Sequence, residues 1–106
     1  MPEVMKSTEK VLQEVYQERV AQEGKWGQQN HVPTDYFVIL AEEFGEAGKE
    51  VVEARFTRLP SKRLDHLQNL REELKQTAAV AVAMIEALDR NAAKWGVDGF
   101  TPEPIQ

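Results

Sequence analysis

The sequence contains no cysteine. That excludes a disulfide framework, a cysteine zinc site, an iron–sulfur cluster and a thiol nucleophile. Histidine is scarce too: His31 and His66 are the only two, and with nothing linking them they read as ordinary loop and cap-region residues. No run of eighteen or more apolar residues occurs, and Met1 to Glu9 is polar and charged, so neither a membrane span nor a secretory signal is expected. An excess of basic charge is missing as well. Thirteen Lys and Arg face eighteen Asp and Glu, a net charge of −5, which argues against polymeric nucleic acid as a partner. Strand-like alternation, low-complexity tracts and true repeats are all lacking. Lys25-Trp26-Gly27 does recur as Lys94-Trp95-Gly96, but in such different surroundings that it reads as coincidence. These absences lead us to expect a cytoplasmic protein with no membrane partner.

What remains is a chain of 106 residues, 42% hydrophobic and 29% charged. This suits one domain, residues 1–106, with a modest core. The spacing predicts an all-α fold, a bundle of three main helices. Met5, Thr8, Leu12, Val15 and Tyr16, with Val11 beside them, share one face of a helix over about 2–23, ended by Gly24. Arg19 projects from the same stripe and must either snorkel, reach a phosphate or pair with Glu23. A polar loop over 24–33 follows, and Thr34 and Asp35 are candidate caps for a helix over about 35–54. The expected apolar face of this second helix is Phe37, Leu40, Ala41, Phe44, Gly48 and Val51. Arg55, Arg58, Lys62 and Arg63 lie in a connection without acids, and Pro60 breaks the helix there. A third helix is expected over about 65–94, with Asp65 and Gln68 as a capping pair. Its interior, residues 77–88, is apolar on nearly every side, with Ala79, Ala83 and Ala87 as a small-residue stripe apart from the face of Leu74, Ala78, Ala81, Ile85 and Leu88. Three helices cannot enclose it, so the bundle is expected to be completed by oligomerisation, as a homodimer or tetramer. Residues 97–106, with Pro102 and Pro104, read as a loosely ordered tail.

The net charge is not spread along the chain. Residues 34–54 hold Asp35, Glu42, Glu43, Glu46, Glu50 and Glu53 against the single base Lys49, an excess of five acids; the rest of the chain holds twelve of each sign. On a helix Glu43, Glu46, Glu50 and Glu53 fall at steps of three, four and three and form one strip. Like charges at that spacing oppose one another by a few tenths of a kcal/mol per pair. The strip is either a solvated acidic face, helped by Arg55 and Arg58, or one side of a cation site. The third helix offers Glu73 and Gln76 as the other side. Carboxylate and amide oxygens are hard ligands, suited to Mg²⁺ or Mn²⁺ and through them to a phosphate substrate.

Glu42-Glu43-Phe44-Gly45-Glu46 resembles the EExxE signature of the MazG-like, all-α nucleoside triphosphate pyrophosphohydrolases, and Glu73-Leu74-Lys75-Gln76 stands where that family has ExxD. Lys25-Trp26-Gly27-Gln28 and residues 78–83 resemble the shorter, phage- and cassette-type members. The likeness covers about residues 10–96. It implies cleavage of a nucleoside triphosphate between its α- and β-phosphates, giving the monophosphate and pyrophosphate. By the resemblance Glu43, Glu46, Glu73 and Gln76 would hold Mg²⁺ (or Mn²⁺), with Glu42 a nearby catalytic acid. Lys25, Trp26 and Gln28 would meet the nucleotide, and Asn91 and Lys94 match an Asn and Lys that follow the second motif in related enzymes. For Trp26, stacking on a base and packing over the helix ends are both open. The departure is Gln76: an amide keeps an oxygen ligand but removes one negative charge.

Overall fold

In the computed structural model, which describes residues 3–91, glycine and proline set the helix boundaries. α1 spans Glu3–Trp26, α2 Pro33–Phe56 and α3 Pro60–Asn91. No strand occurs among the described residues, and no helix is long and apolar enough to cross a membrane. The expected ends of α3 at residue 94 and the tail over 97–106 lie outside the described residues.

Three boundaries differ from the sequence expectation. α1 does not stop at Gly24 but runs two residues further, and the glycine that ends it is Gly27, at φ 73° with its N–H donating to the Glu23 carbonyl at 2.8 Å. A positive φ is what glycine tolerates and other residues resist. Lys25 and Trp26 thereby sit in the last turn of a helix, where a cation also suits the helix dipole. α2 starts at Pro33, pre-shaped for a first turn. Its cap is Val32, which makes no side-chain bond; the Val32 carbonyl accepts from Asp35 and Tyr36 N–H at 3.0 and 3.1 Å. Thr34 and Asp35 are therefore inside the first turn, not caps. α3 begins at Pro60, five residues earlier than expected, so Asp65 and Gln68 are interior residues. Proline breaks the helix behind it and opens the one ahead.

Only residues 57–59 join α2 to α3, and so short a link forces an antiparallel pair. α3 is the centre. Both α1 and α2 pack on it, and they make no backbone approach to each other. Ala79 and Ala87 are 0% exposed, so the small-residue stripe is where the neighbours come closest. Ala47 and Ala54 of α2 are buried with them.

The inward face of α2 is not the one its apolar pattern predicts. Tyr36, Ala47 and Ala54 are buried, with Ile39, Glu43 and Glu50 half-buried between them. Phe37 and Phe44 are 64% and 67% exposed. Both strips have helical spacing; the more apolar one faces out. α1 behaves similarly, burying Val15 but leaving Leu12 and Tyr16 exposed, and α3 exposes Leu74 and Ile85. The surface amounts to 7965 Å², against about 6,000 Å² expected for a folded monomer of this mass. The radius of gyration is 17.2 Å, against about 13 Å for a compact domain of similar length.

Candidate metal centre

The antiparallel register of α2 and α3 puts acids of the two helices face to face. Arg63 Nε donates to the Ala54 carbonyl at 3.4 Å near the link, and His66 Nδ1 meets Glu50 Oε2 at 2.7 Å one turn further on. Two turns beyond His66, Glu73 reaches Glu43 and Glu46. One oxygen from each of these three carboxylates lies within 4.8 Å of the others. Glu43 and Glu73 are half-buried and Glu46 is exposed.

Among the described residues, Glu43 Oε2 and Glu73 Oε2 are buried without a hydrogen-bond partner. A buried acceptor left unpaired costs about 1–3 kcal/mol, more when charged. Burial pushes the Glu43 carboxyl above its ordinary range, and the charges of Glu46, Glu18 and Glu42 push it further. Glu73 is raised likewise by burial, by the close Glu46 carboxylate and by Glu43 and Glu50. Burial and the neighbouring acids all act in the same raising direction on these two groups. Hard carboxylate oxygens brought this close together are the donor set that Mg²⁺ or Mn²⁺ prefers, so Glu43, Glu46 and Glu73 fit such an ion. Glu42 is exposed and acts on the cluster through its charge on Glu43. Gln76 is half-buried one turn after Glu73, on the strip of α3 it shares by spacing with Ala79 and Ala83.

Because the backbones of α1 and α2 do not approach each other closely, a cleft of about 300 Å³ opens between them, reaching the cluster at Glu43. α3 floors it with Val80 and Ala83. α1 supplies Arg19, Gln22 and Trp26, and the loop supplies Gln29 and His31. Tyr36 and Ile39 of α2 close the far side. Trp26 thus lies on the cleft. Lys25 sits with its Nζ 4.6 Å from the Trp26 ring, while Gln28 is exposed outside the lining.

The loop is fixed by α3 and α2. Tyr36 donates its hydroxyl to the Gln29 carbonyl at 2.9 Å, and its ring meets His31 edge-on, centroids 5.0 Å apart. Arg90 donates to the Gln29 carbonyl and to Asn30 Oδ1, and Asn91 donates to Asn30 Oδ1 at 2.7 Å and to the Ala87 carbonyl. Asn91 therefore holds the loop and does not line the cleft; Lys94 lies outside the described residues. Arg19 pairs with Glu23, as one of its expected options had it, and also with Glu86 at 2.7 Å.

Sequence reasoning singled out Glu43, Glu46, Glu50, Glu73 and Trp26 but missed Gln22, Gln29, Tyr36, Glu86 and the pairing of Glu50 with His66. The inward strip of α2, Tyr36 to Ala54 at steps of three and four, carried a signal for Tyr36 alone among these. Compared with protein-family models, curated proteins and solved structures, the chain finds no match.

Proposed function

We propose that this chain is a divalent-cation-dependent nucleoside triphosphate pyrophosphohydrolase that releases pyrophosphate and a nucleoside monophosphate. The observation that carries the reading is the convergence of Glu43, Glu46 and Glu73 with two buried, unpartnered oxygens at the mouth of a cleft. The MazG-like order of motifs along the chain supports it. When bound, Mg²⁺ or Mn²⁺ would neutralise phosphate charge and lower the pKa of a water. Glu43, Glu46 and Glu73 would hold the ion, and a carboxylate of the cluster would orient or deprotonate the attacking water. The nucleoside lies in the cleft, stacked on the indole of Trp26. Arg19 is already engaged by Glu23 and Glu86, so it shapes the cleft wall and leaves the phosphates to the cation.

The surface excess and the exposed Phe37, Phe44, Leu74 and Ile85 support assembly into a homodimer or tetramer. One substitution favours a second reading. Gln76 in place of the acid supports a protein that binds nucleotide without turning it over.

Purified protein incubated with dCTP, dUTP, dTTP and the common ribonucleotides is expected to release pyrophosphate only with Mg²⁺ or Mn²⁺. Glu46→Gln is expected to lower turnover by more than about a hundredfold, beyond the loss typical of a residue that only supports a ligand. Mg²⁺ plus nucleotide at a hundredfold excess over Kd should raise stability by about 2.7 kcal/mol. That stabilisation without pyrophosphate release selects the binding-only reading, and neither effect rejects both.

A further inference from the structure

Glu50 and His66 belong to no motif, yet they face each other one turn from the cluster. Glu50 follows Glu46 by one turn on α2, and His66 precedes Glu73 by two turns on α3. Their side chains are 20% and 25% exposed, and Oε2 lies 2.7 Å from Nδ1. A carboxylate can only accept, so Nδ1 carries the proton and donates. Among the described residues Oε1 of Glu50 has no protein donor. The negative charge of Glu50 is felt at Glu73. Without a cation there, a fourth acid beside three others adds repulsion, while the hydrogen bond from His66 keeps that acid in place.

We infer that Glu50 supplies the negative charge that Gln76 does not bring to the cation site, and that His66 is the positioning residue that holds it there. The inference rests on the cation reading above. Glu50 lies outside the set of three mutually close carboxylates, so it acts through its charge and through the waters that Mg²⁺ and Mn²⁺ retain. His66 then does for a carboxylate what hydrogen-bonded outer groups commonly do for metal ligands, fixing its direction.

Titration of the full chain with Mn²⁺ alone, followed by calorimetry, tests this without reference to turnover. Wild type is expected to bind. Glu50→Gln, which keeps shape and removes charge, should weaken binding about tenfold or more. His66→Ala should weaken it in the same direction. His66→Asn, whose side-chain N–H can take the place of Nδ1–H, should restore most of the loss. Helicity by circular dichroism is expected to be unchanged in all three. Wild-type affinity in Glu50→Gln, with binding abolished in Glu46→Gln, would overturn the inference and leave the cation reading standing. An Asn variant as weak as the Ala variant would overturn the positioning role of His66. Absence of Mn²⁺ binding by wild type would overturn the cation reading and this inference with it.

Discussion

α2 carries two strips of opposite character, and each faces the direction its chemistry should avoid. The inward strip runs Tyr36, Ile39, Glu43, Ala47, Glu50, Ala54, and its acids are half-buried against α3. The outward strip runs Phe37, Phe44 and Val51, and it is exposed. In an ordinary surface helix the apolar stripe turns to the core and the charges to water. The inversion shows that the packing within one copy leaves the more apolar strip of α2 uncovered. The inward strip gives up hydrophobic burial to place carboxylates around a point that a cation can occupy. The outward strip leaves its aromatic groups exposed. Small residues help the packing, since Ala47 and Ala54 of α2 and Ala79 and Ala87 of α3 are all buried where larger side chains would hold the helices apart.

The sharpest way to break the comparison is to charge the outward strip alone. Phe44→Asp alters no carboxylate of the cluster and removes an exposed aromatic side chain from the outward strip of α2. Sedimentation should give wild type a mass at least twice 12.1 kDa; the variant should fall towards a single chain and lose most of its thermal stability. A wild-type protein that sediments as a monomer, melting at the same temperature as Phe44→Asp, would remove assembly from the account.

The inward strip is tested by pH. The folded-state carboxyls of Glu43 and Glu73 are raised above their ordinary values, chiefly by burial. A raised carboxyl binds its proton more tightly folded than unfolded. Its contribution is therefore full below the ordinary carboxyl range and is lost as pH rises through the raised folded values. Glu14 works in the opposite sense: its bond with Arg71 lowers its carboxyl, and what it adds is present above the ordinary value and lost in acid. Metal-free wild type should thus lose stability between the acid range and neutrality relative to Glu73→Gln. Mg²⁺ should recover the difference at neutral pH and have little effect in acid. Melting curves of both proteins across pH, with and without Mg²⁺, check this; parallel curves for the two would deny Glu73 its burial.

Much of this contrast was legible in the sequence, and the rest had physical reasons to hide. The concentration of the net charge in 34–54 and the spacing of Glu43 and Glu46 marked the site, because steps of three and four on a helix need no tertiary information. The opposing Glu73 followed from the motif order. The face of α2 was misjudged because apolar periodicity assumes that one chain makes its own core, and here the more apolar strip points away from it. The boundaries at Gly27, Pro33 and Pro60 slipped because each breaker can either end one helix or start the next. Glu50 with His66, and Arg19 with Glu86, join residues 16 and 67 positions apart, a pairing that only the register of packed helices reveals.

The smallest expected effect concerns the cleft that joins the two halves of the site. Tyr36 is buried, and its hydroxyl donates to the Gln29 carbonyl while its ring supports His31. Burial raises its phenol above the ordinary value, so the hydroxyl keeps its proton and its role as donor across the neutral range. Tyr36→Phe keeps the ring and deletes the hydroxyl alone. The loss of one hydrogen bond to a carbonyl that Arg90 also holds should cost about 1 kcal/mol or less. The hydroxyl donates to the loop, not to the cluster, since its partner is the Gln29 carbonyl. A loosened wall should therefore raise the KM for nucleotide several-fold and leave kcat and Mn²⁺ affinity near wild type. Equal losses in kcat and Mn²⁺ affinity would mean that the cleft and the carboxylates are one rigid unit, and that the separation of binding wall from cation cluster does not hold.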